Sequence, residues 1–374
     1  YSLNYQAARQ NRFAKIPREQ RGILGNLAYA YHFDAGLYAR FLRAYSEKRG
    51  VSRVEGKVDK VNKDKDTGFI SSVCLEDGQE IAADFFIDCS GMRSLLLGEA
   101  LGSEFEDWGE WLLCDRALAV QSRNQGEPPP YTVSTAEAAG WQWRIPLQHR
   151  TGNGLVYSSQ YMSEDEARET LLKNLQGEPM GEPRLIKFRT GMRKEQWKAN
   201  CVAIGLAGGF IEPLESTSIH FIQRALFKLL DKFPHRGIQP EEVNQYNQEF
   251  AREFYNVRDF IILHYHLNQR DEEFWVKCRE MEIPDSLRRK IEIFRTTGKV
   301  YRDPEVLFTQ HSWYQVMLGQ GVMPEDYHPF ADTASPEELN TMLEKLRTDI
   351  ERQVSRLSSH QDFINRYCPA RAMD

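Results

Sequence analysis

The sequence of 374 residues contains no run long and apolar enough to span a bilayer, and its opening residues carry no signal-peptide pattern. The expectation is a cytoplasmic chain with no membrane partner. Positive charge is also short: 48 Lys and Arg stand against 54 Asp and Glu, for a net charge of −6. No basic groove can be drawn from that balance, which argues against nucleic acid as a partner. The six cysteines (Cys74, Cys89, Cys114, Cys201, Cys278 and Cys368) form no C-x-x-C pair, and several sit in apolar runs as buried thiols of a reducing compartment. No H-E-x-x-H or comparable cluster points to a metal, and His264 and His266 fit plain helix surface and core. Internal repeats and low-complexity linkers are missing. So is any G-x-G-x-x-G, the turn that seats a dinucleotide pyrophosphate at a helix start.

What is present centres on Cys201–Leu230. Cys201–Leu206 is a short apolar run, predicted as a buried strand. Ala207, Gly208 and Gly209 let the backbone turn tightly and let a ligand approach closely. A helix is predicted from Ile219, with Ile219, Ile222, Leu226, Leu229, Leu230 and Phe233 as one buried stripe. Ser216, Thr217 and Ser218 offer capping hydroxyls at its start, a place that also suits an anion. Pattern alone fits an ordinary capped strand–loop–helix unit equally well.

Around this stretch, Tyr1–Gly25 is polar and basic without a clear period. Asp34 reads as the N-cap of a helix with an apolar face of Leu37, Tyr38, Phe41, Leu42 and Tyr45. Val51–Val61 and Phe69–Leu75 read as strands joined by a charged turn, and Ile81–Asp88 as a buried strand leading into Ser90–Gly91. Trp141, Trp143 and Ile145 share one face of a predicted strand, with Gln142 and Arg144 on the other. Leu155–Tyr161 and Leu185–Met192 read as further strands. Ser163-x-x-Glu166 and Ser335-x-x-Glu338 are capping boxes opening helices. Pro240–Leu267 is predicted as a long helix with Tyr246, Phe250, Phe254, Val257, Ile261 and Tyr265 on its apolar side. Ser286–Thr296 is another helix, and Phe308–Gly321, aromatic and Gly-rich, reads as a packed turn.

Two strings add specificity. Phe210 to Ser218 (FIEPLESTS) resembles the F-x-x-P-x-x-S-x-G signature of flavin-dependent halogenases, the tryptophan halogenase family, with Ser218 where the family has Gly. Trp141–Pro146 (WQWRIP) is similar to the same family's W-x-W-x-I-P. Flanking segments from Ala30, Asp88 and Glu106 read alike, so the resemblance covers most of the chain.

The resemblance implies a mixed α/β chain: an FAD-binding flavoprotein fold of two dinucleotide-binding halves, here lacking the first, with a mostly helical C-terminal substrate module. Residues 1–235 would form the flavin-binding module, including an inserted β-sheet at about 105–192, and 236–374 the helical module. The family's G-x-G-x-x-G and catalytic lysine are expected upstream of Tyr1, which makes this chain an N-terminally truncated fragment. The implied reaction halogenates an aromatic (tryptophan, indole or related) using FADH2 from a separate flavin reductase, O2 and chloride or bromide, through hypohalous acid. A homodimer is compatible with it. Glu215 matches the catalytic carboxylate, although offsetting a helix dipole is its plainer role. Thr217 and Ser218 match the halide-binding pair. Leu206 and Ile219 match residues bracketing the flavin ring, and Val58 one near its adenine end. Trp141, Trp143, Ile145 and Pro146 would line the passage between flavin and substrate; otherwise the indoles are core. Leu307, Phe308, Trp313 and Tyr314 would wall the substrate pocket, with Leu307–Phe308 replacing the Phe–Trp pair of free-tryptophan enzymes. An aromatic-hydroxylating flavin monooxygenase of the same fold, or a non-catalytic fragment unable to hold FAD, is the alternative.

Overall fold

The computed structural model describes residues 2–16, 27–301 and 306–370, and the fold is mixed α/β. In chain order the helices are α1 (Leu3–Arg9), α2 (Ala35–Glu47), α3 (Glu164–Lys173), α4 (Ser218–Asp231), α5 (Pro240–His266), α6 (Glu273–Glu280), α7 (Asp285–Thr297), α8 (Gln310–Gly319), α9 (Pro336–Ser355) and α10 (His360–Tyr367). The strands are β1 (Val58–Lys63), β2 (Ile70–Leu75), β3 (Glu80–Ala82), β4 (Phe86–Asp88), β5 (Phe105–Asp107), β6 (Arg116–Ser122), β7 (Val133–Glu137), β8 (Gly140–Pro146), β9 (Thr151–Tyr157), β10 (Arg184–Lys187), β11 (Gly191–Arg193), β12 (Trp197–Lys198), β13 (Cys201–Ala203) and β14 (Gly209–Phe210). Two compact units interleave along the chain: Tyr1–Gly50 with Arg116–Ile186 and Tyr327–Asp374, and Val51–Asp115 with Lys187–Asp326. Compactness thus groups the residues differently from a linear division at 235.

The first unit is built on a five-stranded sheet in the order β10-β6-β9-β8-β7. Its β8–β9 register sets Trp143 opposite Gly154, and the indole lies where a side chain at 154 would stand: a Cβ there would fall 2.0 Å from the ring. α3 opens with both arms of the Ser163–Glu166 capping box formed, and Ser335–Glu338 does the same for α9. Ala7 of α1 packs against Ile350, Val354 and Leu357. The helix α1 departs from the aperiodic reading of the opening stretch, of which 17–25 lie outside the described residues. Asp34 caps α2 as expected, accepting from the N–H groups of Gly36 and Leu37, and also takes Arg150 Nη2 at 2.7 Å. The apolar face of α2 is exposed, however: none of its residues is buried.

The second unit holds three small sheets, β1-β2-β3, β14-β11-β5 and β12-β13-β4. Two runs that read as continuous strands are divided between sheets. Ile81–Asp88 separates into β3 and β4, and Leu185–Met192 into β10 and β11. At the first break, Asn200 takes over the backbone pairing: its Nδ2 donates to the carbonyls of Ile70 and Asp84, and its Oδ1 accepts from Ile70 N–H. β4 and β13 pair in parallel. At the end of β4 the buried Asp88 carboxylate accepts from Ser90 N–H and Oγ and from the N–H groups of Leu96 and Leu97, which starts a π-helical turn over Leu95–Ala100. Charge buried at that depth is tolerable because every lobe of it meets a donor.

The 27-residue α5 is the spine of this unit. Tyr246, Phe250, Phe254, Val257, Ile261 and Tyr265 are all buried, as their spacing requires. The side chain of Asn247 accepts from the N–H groups of Gln196 and Trp197 and donates to Trp197 O, tying the helix to β12. Phe221 of α4 stacks on Phe254 at 4.0 Å. α4 buries Phe221, Ala225, Lys228 and Leu229, whereas Ile219, Ile222, Leu226, Leu230 and Phe233 of the expected stripe are exposed. The reason is a polar seam. Lys228 Nζ lies 2.9 Å from Glu249 and 3.3 Å from Glu253, and Arg224 Nη2 lies 2.6 Å from Glu253.

Burial by itself would raise Glu249, but hydrogen bonds from Gln245 and Lys228 and the charges of Lys228 and Lys232 hold it at about 2. A carboxylate depressed in the folded state adds stability that is complete above its unfolded value near 4.5 and is lost as pH falls toward about 2. The contribution is on the order of 3 kcal/mol. Urea unfolding at pH 7 and pH 3 should therefore show a pH-linked loss that Glu249→Gln shrinks; equal slopes in both proteins would refute the assignment.

Candidate active site

The segment after β13 is a succession of tight turns. Ile204 N–H donates to Asp88 O at 2.9 Å, closing β13, and Gly205 follows at φ +70°. Gly205–Ala207 forms a single 3-10 turn, so the strand ends at Ala203 instead of reaching Leu206. The glycines have an internal reason. A Cβ at Gly208 would meet Gln196 Oε1 at 2.2 Å, and one at Gly209, φ +156°, would meet Gly191 O at 2.6 Å. The close approach expected here is therefore made by the protein's own β11 and by Gln196, which donates to Gly208 O at 2.7 Å.

Glu212 is fully buried, and the Tyr265 hydroxyl lies in the same buried environment, 3.6 Å from Cys114 Sγ. Burial pushes that hydroxyl well above its ordinary value, so it stays neutral. Pro213–Glu215 is a second 3-10 turn, closed by Ser216 N–H donating to Pro213 O at 2.9 Å. Ser216 takes the left-handed conformation at φ 54°, which a non-glycine residue adopts at a cost of about 1–3 kcal/mol. Thr217, 1% exposed, is the N-cap of α4, and Ser218 is its first residue. The expected hydroxyl cap is absent: Thr217 makes no side-chain capping bond. The N–H groups of the first turn thus lack partners within the helix. Ser218 has an ordinary negative φ, so serine in place of glycine there strains no backbone.

Glu215 Oε1 lies 3.2 Å from Nε2 of His264, with the side chains 33% and 22% exposed. His264 is in the last turn of α5, where the sequence alone suggests plain helix surface and core. Its Nδ1 bonds Phe260 O at 2.7 Å, and its own carbonyl accepts from Gln320 Nε2 at 2.8 Å. Phe260, not singled out from the sequence, stacks on Phe308 at 3.9 Å and meets the His264 ring edge-on at 5.0 Å. No sequence pattern joins these residues; only the packing of α5 on the Pro213–Glu215 turn does.

Of the remaining expected residues in this unit, Leu206 and Ile219 are exposed at 39% and 44%, on a turn and a helix start that pack together. Val58 is half-buried at the start of β1; the strand begins there and not at Val51. Phe308–Gly321 is largely the helix α8, capped by Thr309, which accepts from Ser312 N–H. Leu307 and Phe308 precede it. Trp313 is buried against Phe260, and Tyr314 packs on Phe294 at 5.7 Å.

The tryptophan strand belongs to the other unit. Trp141 is buried with no hydrogen-bond partner for its Nε1 among the described residues, and Trp143 lies beside it at 6.1 Å between ring centroids. Ile145 is half-buried. Gln142 is buried as well, so both faces of β8 are covered. Pro146 O accepts from His32 Nδ1 at 3.0 Å, and Arg144 and Pro146 line a polar cleft of about 240 Å³ within this unit. Among the described residues no group of three or more His, Cys, Asp or Glu could hold a metal ion, and no helix is long and apolar enough to cross a membrane.

The sequence matches a family model described as tryptophan halogenase over residues 1–336. Tryptophan 7-halogenase KtzQ of Kutzneria sp. (strain 744) is 38% identical over 323 residues, which cover 81% of this chain and 60% of that protein. Among solved structures, Xcc4156, a flavin-dependent halogenase from Xanthomonas campestris, is similar with a TM-score of 0.96 and 48% identity, over 100% of this chain and 75% of that one. BrvH, a flavin-dependent halogenase from Brevundimonas sp. BAL3, is similar at a TM-score of 0.94 and 44% identity, over 98% and 75%. The chain spans about 60% of the length of the curated relatives it matches.

If Gly208 is a packing requirement, Gly208→Ala should destabilise the protein by about 1–3 kcal/mol with no ligand added, because Gln196 must leave its two carbonyl partners. Gln196→Ala should make the same change at 208 cheaper. Thermal unfolding of the single and double variants measures the coupling, and strict additivity would count against it.

Proposed function

The chain belongs to the tryptophan halogenase family, and on that basis we propose that it serves FADH2-dependent halogenation of an aromatic substrate, with Glu215 as the carboxylate that takes the ring proton. The observation that carries the reading is the placement of Glu215. It is partly exposed at the start of α4, and its partner His264 packs against the Phe260–Phe308 aromatic pair.

The residues present fit the ring end of a flavin. Leu206 and Ile219 offer adjoining exposed apolar surface, and Gly205 has no Cβ to occupy the turn beside Ile222. Val58 is assigned to the adenine end on the family match alone. No glycine turn for the pyrophosphate occurs in this sequence. Reduced FAD, when bound and supplied by a separate reductase, provides with oxygen the two-electron oxidation that turns halide into hypohalous acid. The halide would be held by the N–H groups at Thr217 and Ser218, where the helix dipole favours an anion. Such a site binds weakly.

At the substrate, a ring carbon bonds to halogen as the hypohalous O–halogen bond breaks and hydroxide leaves. The C–H bond then breaks, its electron pair restores the aromatic system, and the proton passes to the Glu215 carboxylate. Leu307 and Phe308 form the wall facing the aromatic, backed by Trp313 and Tyr314; with Leu–Phe where free-tryptophan enzymes carry Phe–Trp, indoles and phenols fall within reach. For Trp141, Trp143, Ile145 and Pro146 the reading rests on the motif alone.

The test is to incubate the protein with FAD, a flavin reductase, NADH, chloride or bromide, and indole or tryptophan, and to look for products in which one hydrogen is replaced by halogen. Glu215→Gln should slow product formation by about two to four orders of magnitude. Hypohalous acid captured by a scavenger should persist. A parallel loss of both would assign Glu215 to the flavin side instead.

A further inference from the structure

The hydrogen bonds around His264 determine where its protons are. Phe260 O can only accept, so the 2.7 Å contact requires a hydrogen on His264 Nδ1. A neutral imidazole protonated there has a bare lone pair on Nε2. That lone pair would face Glu215 Oε1 at 3.2 Å, acceptor against acceptor. The contact is attractive only if one further proton lies between the two groups.

Three features favour keeping that proton on the imidazole. Both side chains retain contact with water, at 33% and 22% exposure, so neither charge is stripped of solvent. His264 occupies the last turn of a 27-residue helix, where unpaired carbonyls favour a cation. The ring is also held in place, edge-on to Phe260 at 5.0 Å, with its backbone carbonyl taken by Gln320. His266, two residues on in the same turn, provides the contrast: its Nδ1 is buried without a hydrogen-bond partner, and burial lowers its basicity.

We infer that His264 is the positioning residue of the Glu215 site, a doubly protonated imidazole whose Nε2–H holds Oε1 and leaves Oε2 to meet the substrate. The inference rests on the reading of Glu215 as the ring-proton acceptor, and it adds the group that orients that acceptor. At the other end of the same short segment Glu212 is wholly buried, near Tyr265 of the same helix turn. Adjacent residues of α5 therefore face both glutamates of Glu212-Pro-Leu-Glu215. Asking the carboxylate to turn over a proton without such a partner would leave its rotamer to solvent.

Two measurements test this. The first needs no turnover: long-range 1H–15N spectra of 15N-histidine-labelled protein at pH 7. Both His264 ring nitrogens should resonate as N–H in the parent, and in Glu215→Gln the Nε2 proton should be lost while Nδ1–H remains. A neutral imidazole in the parent, or a spectrum indifferent to Glu215→Gln, overturns the inference and leaves the halogenation reading untouched. The second measures product formation. His264→Leu should lower it about tenfold to a hundredfold, the value of one charge-assisted hydrogen bond in the transition state. His264→Gln, whose amide N–H can stand where Nε2–H stood, should recover most of that loss. The deficit should fall on halogenated product and not on hypohalous acid reaching a scavenger. Equal rates for Leu and Gln variants, or no loss with Leu, would refute the positioning role even where the spectra agree.

Discussion

The second unit depends on an ion cluster with little contact with water. Lys228 and Arg224 of α4 meet Glu249 and Glu253 of α5, and the side chains of Lys228 and Glu253 are each only 7% exposed. Charges at that depth are favourable only when opposite signs alternate and their hydrogen bonds are filled. Removing any one member would strand the others. The cluster also ties α4 to α5 in one register, through charges carried on both helices. That position has consequences at both helix ends. The start of α4 carries Thr217 and Ser218, directly after Glu215. The end of α5 carries His264. The 3.2 Å contact of Glu215 with His264 thus joins the start of one helix of the cluster to the end of the other.

The same cluster explains why α4 is oriented against its own hydrophobicity. Its period was legible: Ile219, Ile222, Leu226, Leu229 and Leu230 do share a stripe. Periodicity shows that one face is apolar and cannot say what meets it. Phe221 and Ala225 face α5 because Phe254 stacks there, and Lys228 faces α5 because two carboxylates wait for it. Those partners lie on another element, so a local reading has no access to them. α2 behaves similarly, with its Asp34 cap foreseen and its apolar face exposed.

Where the determinants are local, the sequence was a good guide. The Ser163 and Ser335 capping boxes and the buried face of α5 stand as their residues imply. Strand runs were less so. Ile81–Asp88 and Leu185–Met192 look continuous because each keeps its apolar content through the break, while the interruption is made from outside, by Asn200 in the first case. The site was half legible. Glu215, Thr217 and Ser218 come from a literal string. His264 and Phe260 come only from packing, and a histidine near a helix end has many ordinary uses.

The string itself makes physical sense once its conformation is known. Ser216 is held in a left-handed conformation that a glycine would adopt freely. Such strain persists only where both flanks are over-determined. Here one flank is Glu212, wholly buried, and the other is Thr217, at 1% exposure. Pro213 fixes the backbone between them. Glu215 is the accessible member of a segment whose neighbours Glu212 and Thr217 are buried. On the proposed reading, a flexible loop with the same side chains would have to order itself in every turnover, a step that the ion cluster, the left-handed serine and the His264 contact would lessen in advance.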